Sequence, residues 1–214
     1  MKHLLQLRVD VTFAHEDDLI LEKNPLPEWA KDSLSKAKIV VVRRGNLKNN
    51  LIPIGIRGKQ KNQRWGCFLP KDKILKHYHP DYFIAHQSWR NLPHDRQAML
   101  AFQALVKIVP LLTKLRWGVS GSLVYEMATG IEMVHQTSDI DIIAWKVKPM
   151  SIKQAQLLLK QLNQFNVHAD MQVVNRDRGF ALEEYAMNRD AQILIKTNAG
   201  PQLSADPWHY IEEG

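Results

Sequence analysis

Ser138-Asp139-Ile140-Asp141-Ile142-Ile143 constrains this chain more than any other stretch, because it sets two carboxylates two residues apart inside an apolar, β-branched run. β-Branched residues favour strands, and residues i and i+2 of a strand leave the same face. Asp139 and Asp141 are therefore expected to project together while Ile140 and Ile142 turn into a core. Two neighbouring carboxylates repel unless a cation sits between them. A hard divalent ion such as Mg²⁺ suits that place, since it takes oxygens from one or two carboxylates and fills its shell with water and substrate phosphates. An isolated Asp-x-Asp is more often a solvated strand face. The surrounding residues argue for the metal.

Upstream, Trp117-Gly118-Val119-Ser120-Gly121-Ser122 runs into Leu123-Val124-Tyr125-Glu126-Met127-Ala128, which reads as a helix beginning at Ser122. A Gly-Ser turn into a helix lets the backbone approach a ligand and aims unpaired N–H groups at it, an arrangement suited to a terminal phosphate. Downstream, Val167-His168-Ala169-Asp170-Met171-Gln172-Val173-Val174 alternates apolar and polar residues with the period of a half-buried strand. Asp170 is on its polar face. If that strand pairs beside the first, three carboxylates converge, with Asp170 as metal ligand or as general base towards an incoming hydroxyl.

A Gly-Ser turn, then Asp-x-Asp, then a later single Asp resembles the polymerase-β-like nucleotidyltransferases. The flanking words sharpen the likeness: Gly121 to Gly130, Ser138 to Asp141, Asp170-Met171-Gln172, Gly200-Pro201 and Asp206-Pro207-Trp208, with Pro53 to Gly58 and Gln63-Arg64-Trp65 ahead of them. Together they look like the malonate decarboxylase holo-acyl-carrier-protein synthase family, the phosphoribosyl-dephospho-CoA transferases. The resemblance covers most of the chain in order and is clearest from Trp117 onwards. It implies Mg²⁺-dependent transfer of phosphoribosyl-dephospho-CoA from triphosphoribosyl-dephospho-CoA to a serine of the acyl-carrier subunit of malonate decarboxylase, with release of pyrophosphate. On this reading Asp139, Asp141 and Asp170 are the catalytic and metal-binding residues, and Gly121, Ser122, Arg57, Arg64 and Lys196 bind substrate. Lys59, Lys61 and Lys196 stand where arginine is expected; lysine keeps the charge and gives up the bidentate fork.

The 214 residues, 45% of them hydrophobic, suffice for a sizeable core in one domain or two small ones. A formal net charge of +7 suggests anionic partners, among which an acidic carrier protein fits. Cys67 is the only cysteine, which excludes an intramolecular disulfide and a cysteine-rich zinc site. The spacing of His77, His79 and His86 matches no common zinc pattern. With no apolar run long enough to span a bilayer and no N-terminal secretion signal, the expectation is a cytoplasmic protein without a membrane partner.

Ile39 to Arg44, Leu51 to Arg57 and Arg64 to Leu69 read as strands of a small antiparallel module, whose end carries Arg57, Lys59, Lys61 and Arg64. That cluster is either a solvated basic loop or a clamp for triphosphate or carrier. Residues 94 to 109 read as a helix with Met99, Leu100, Phe102, Leu105, Val106, Ile108 and Val109 as a broad core face. Ser151 caps a helix over Ile152 to Phe165, Phe180 to Met187 is a shorter helix, and Ala191 to Thr197 is a strand. The expected fold is α+β: a mostly β N-terminal module over residues 1–91, then a nucleotidyltransferase-like domain of mixed sheet and helices over 92–214. Two rival functions remain at this point: a nucleotidyltransferase with a small-molecule or RNA acceptor, and a catalytically silent nucleic-acid-binding module. The second is disfavoured because Trp and Tyr do not interleave with the basic cluster as a stacking platform requires.

Overall fold

A computed structural model describes residues 11–21, 24–45, 49–60, 62–187 and 192–213. The chain divides into two compact units, Met1–His79 and Pro80–Gly214. The architecture is α+β.

The first unit is built on a five-stranded antiparallel sheet. Its strands are β1 (Val11–Phe13), β2 (Ile39–Val42), β3 (Leu51–Arg57), β4 (Arg64–Pro70) and β5 (Lys76–Tyr78), in the order β4-β3-β2-β1-β5. The three strands expected from sequence are β2, β3 and β4. Strict alternation explains β3: Ile52, Ile54 and Ile56 are buried on one face. Helix α1 (Glu28–Ala37) lays Ala30 and Leu34 on that face, in one core with Val40, Cys67 and Leu69. β4 is the sheet's edge, and a short bridge covers part of it: Ile20 N donates to Phe68 O at 2.8 Å and Phe68 N to Ile20 O at 2.9 Å. Burial pushes the Cys67 thiol up to about 11, with the Arg43 charge opposing, so it stays protonated and apolar in the core.

The second unit begins with α2 (Pro80–Ala85), α3 (His94–Gln97) and α4 (Leu100–Ile108). It continues through β6 (Arg116–Val119), α5 (Gly121–Thr129), β7 (Ile140–Trp145), α6 (Ile152–Leu162), β8 (Ala169–Asn175) and β9 (Arg178–Ala181). The last elements are α7 (Leu182–Met187), β10 (Ile193–Thr197), β11 (Gly200–Ser204) and α8 (Pro207–Glu212). The strands form one mixed sheet in the order β11-β10-β9-β8-β7-β6. β7 and β8 are parallel, with α6 between them in sequence; the remaining pairs are antiparallel.

The division falls at His79–Pro80, ahead of residue 91, because α2 is seated on β6. Arg116 pairs with Asp81, and a Cβ at Gly118 would run into the Pro80 and Asp81 backbone. The helix expected over 94–109 is two. Met99 is extended, and α4 starts anew after it. Within α4 the 100° spacing puts Phe102, Leu105 and Ile108 in the core and leaves Leu100 and Val106 exposed, so the expected apolar face is narrower.

Ser151 caps α6 as expected, in a capping box with Gln154. Phe180 and Ala181 belong to β9 rather than to the following helix: Phe180 is fully buried, edge-on to Trp208 of α8 at 5.1 Å. Gly200-Pro201 opens β11, and Asp206-Pro207 starts α8, where the Asp206 carboxylate accepts from His209 N. Those two motif words are structural signals, a hairpin turn and a cap.

Candidate active site

The Gly-Ser turn lies between β6 and α5 and is tied to β7 by its backbone: Ser120 N donates to Asp141 O at 2.9 Å. Gly121 has φ +65°, where a side chain strains the backbone, and a Cβ there would strike Asp141 Oδ2. Both facts require glycine, and together they show the bare Cα lying against the carboxylate. Ser122, Leu123, Val124 and Tyr125 are buried, which roots the turn in the core. Gly121→Ala is expected to cost about 1–2 kcal/mol in backbone strain and to push the Asp141 carboxylate out of place. Turnover should therefore fall far more than the thermal midpoint; equal small losses in both would make the turn merely structural. Ser122→Ala removes one hydroxyl among several contacts and should be mild in both assays.

The parallel register of β7 and β8 pairs Asp141 with Asp170 across adjacent strands. Register partners share a face, so two half-buried carboxylates look out side by side while Ile140, Ile142, Ala169 and Met171 are buried behind them. Asp139 stands immediately before β7 and is exposed. Among the described residues no group of three or more His, Cys, Asp or Glu side chains is placed to hold a metal ion. The structure thus brings together Asp141 and Asp170, with Gly121 against the first, and leaves Asp139 at the exposed rim. Two facing carboxylates and a bare Cα still fit a divalent cation, because Mg²⁺ needs one or two carboxylates and completes its shell with water and phosphate oxygens.

Two residues beyond Asp170 on the same face is Gln172, whose Nε2 donates to Asp170 Oδ1 at 3.0 Å and Oδ2 at 3.3 Å. Lys196 of β10 donates from Nζ to Gln172 Oε1 at 3.0 Å. Gln172 was legible in sequence as the next polar position of the β8 alternation; its orientation was not.

A second polar cluster lies at the other end of α5. Glu126, 1% exposed, accepts from Arg96 Nε at 2.7 Å and Nη2 at 3.0 Å, and from the backbone N–H groups of Met133 and Val134 at 2.8 Å each. Arg96 Nη2 also donates to Val134 O at 2.7 Å. Burial pushes the Glu126 carboxyl up, but the Arg96 hydrogen bond, the two backbone donors and the Arg96 charge overcome it and hold the group below the usual carboxylate range. The Arg96 guanidinium is raised in turn, chiefly by its hydrogen bond to Glu126. The pair clamps α3 and α5 to the segment that runs from Gly130 to Asp139. A lone carboxylate inside the apolar run Leu123 to Ala128 was its one sequence signal.

In the first unit, Arg57 and Arg64 are register partners at the end of the β3–β4 hairpin. Arg57 is half-buried and its carbonyl accepts from Ser33 Oγ at 2.6 Å; Arg64 and Lys59 are exposed. Lys61 lies outside the described residues. Like charges directly opposite across a strand pair disfavour each other, so such a pair suits an anion.

Comparison with known proteins adds to this geometry. The family model described as the phosphoribosyl-dephospho-CoA transferase MdcG N-terminal domain matches residues 3–80, and that of the MdcG C-terminal domain matches residues 87–207. A phosphoribosyl-dephospho-CoA transferase of Pseudomonas putida is 31% identical over 188 residues, covering 87% of this chain and 88% of the relative. One of Pseudomonas fluorescens (strain Pf0-1) is 32% identical over 189 residues, covering 87% and 88%. One of Pseudomonas aeruginosa is 31% identical over 203 residues, covering 91% and 94%. No solved structure gives a significant match. With both family models matched in order and identity sustained along nearly the whole length, the chain belongs to the phosphoribosyl-dephospho-CoA transferase family and is a transferase.

Proposed function

We propose that this protein transfers phosphoribosyl-dephospho-CoA from its triphosphate precursor to a serine of the malonate decarboxylase acyl-carrier subunit, in a Mg²⁺-dependent reaction that releases pyrophosphate. Family membership supports the transferred group. The observation that carries the chemistry is the Asp141–Asp170 register pair with Gly121 against it.

Asp141 and Asp170 are the residues that would hold Mg²⁺, which would supply charge neutralisation and alignment of the phosphates when bound, with Asp139 at the exposed rim as the third carboxylate of the motif. The first N–H groups of α5, at Gly121 and Ser122, lack intrahelical acceptors and suit the terminal phosphate. Arg57 and Arg64 offer the first unit's guanidinium groups to an anion. The carrier serine oxygen forms a bond to the α-phosphorus as the bond from that phosphorus to the bridging oxygen breaks. Pyrophosphate takes that oxygen and its electron pair, and the serine proton passes to a carboxylate oxygen of Asp170. Positioning and electrostatics carry such a step, with no covalent enzyme intermediate. No helix among the described residues is long and apolar enough to cross a membrane. The reading carries with it a cytoplasmic location, where precursor and carrier would be met.

Incubation with Mg²⁺, the triphosphoribosyl precursor and apo carrier subunit, followed by intact-mass measurement of the carrier, tests the proposal. The expected result is a gain equal to the phosphoribosyl-dephospho-CoA group on one serine. No gain on a carrier that the Pseudomonas putida relative does modify would overturn it.

A further inference from the structure

We propose that Gln172 and Lys196 are positioning residues that fix the Asp170 carboxylate, Lys196 acting through Gln172. This rests on the reading of Asp141 and Asp170 as a cation site.

β8 puts Asp170 and Gln172 on one face, close enough for one amide to reach both carboxylate oxygens. An amide in isolation can present either end. Here only one orientation works, because Lys196 Nζ is a donor without acceptor capacity and must face Oε1. Nε2 is thereby turned to Asp170. Reversal would set an amide N–H₂ against an ammonium and an amide oxygen against a carboxylate.

The fold makes this contact possible over a distance. Lys196 is separated from β8 by β9, so its backbone is two strand spacings away, about 10 Å. The residue between them is Gly179, the register partner of both Lys196 and Val174. All three share the face of Gln172, and at Gly179 a Cβ would strike the Val173 carbonyl and the Val174 side chain, so glycine is what lets β9 pack against β8 between the lysine and its amide. Asp170 is thus oriented by a neutral amide while the ammonium bonds to the far end of that amide, and among the described residues no ion pair cancels the negative charge of the carboxylate. Lysine at 196 also has a reason that arginine lacks: a compact donor on a flexible stem meets one amide oxygen, where a planar fork is built for two acceptors.

The test measures binding of Mn²⁺ alone, without substrate, by electron paramagnetic resonance, with thermal midpoints as the control for folding. Outer partners of metal-binding carboxylates typically govern affinity by about 10- to 100-fold. Gln172→Met and Lys196→Met are each expected to weaken Mn²⁺ binding within that range, and Lys196→Arg, which keeps a donor-only cation but not the compact head, to restore only part of it. The double variant should be no weaker than Gln172→Met, because the hydrogen bonds from Lys196 reach Asp170 through the amide. Losses that multiply in the double variant, or wild-type affinity in Gln172→Met, would overturn the inference while leaving the carboxylate pair as a cation site. Absence of Mn²⁺ binding in the wild type, or wild-type affinity in Asp170→Asn, would overturn the site itself and the inference with it.

Discussion

Asp141→Asn is expected to abolish transfer while the protein folds and melts as before. The change is nearly isosteric, and the hydrogen bond that ties this residue to the Gly-Ser turn is made by its backbone carbonyl, which the substitution leaves alone. What it removes is half of the paired negative charge that faces Asp170. Loss of one preorganised electrostatic contact costs about two to three powers of ten in turnover, and removal of a metal-ligand charge costs at least that. Asp139→Asn tests the exposed member in the same way. Single-turnover kinetics at saturating precursor, with circular dichroism for the fold, check both; wild-type turnover in either would remove that residue from the metal site.

Glu126→Ala is expected to have the largest effect on stability, about 3–5 kcal/mol, because it strands the Arg96 guanidinium in a buried place. Arg96 is only 12% exposed and would keep Val134 O as its hydrogen-bond acceptor, with the exposed Glu132 carboxylate 3.7 Å away as its remaining charge partner. The backbone donors of Met133 and Val134 would lose theirs. Urea unfolding measures the loss, and Arg96→Met in the same background should recover part of it, since a neutral partner leaves no buried charge. The pH dependence has a definite sign. The native carboxyl lies below its ordinary value of 4.5, so its contribution is complete above that value and disappears as pH falls through the lower native one. Glu126→Gln should therefore be less stable than wild type near neutrality and converge with it on acidification. A constant difference down to the lowest pH would show that the charge is not what holds the clamp.

The carboxylates and the glycine were legible in sequence because each depends on a short period. Asp139-Ile140-Asp141 and Ala169-Asp170-Met171-Gln172 announce strands by alternation, and burial follows it: Ile140, Ile142, Ala169 and Met171 inside, Asp141 and Asp170 half-exposed. The β9 and β11 strands were not legible. Arg178–Ala181 is four residues long and Gly200–Ser204 has buried residues on neither face, so no alternation marks them. Phe180 joins a strand because its neighbours in the sheet and the Trp208 ring supply its surroundings, which overrides a helical propensity continuing into α7.

By itself, then, the sequence determined which residues carry charge to the site and which face of each strand they leave by, since side-chain periodicity is a local property of the backbone. Tertiary structure alone decided which strand lies beside which and in what register. A shift of one residue between β7 and β8 would turn every side chain of one strand to the other face, so the opposition of Asp141 and Asp170 exists only in the assembled sheet. The same holds for Lys196 and Gln172, 24 residues apart, and for Arg96 and Glu126, 30 apart. Those contacts depend on three-dimensional distance and on which groups burial has deprived of water, and neither quantity is written in the spacing of residues along the chain.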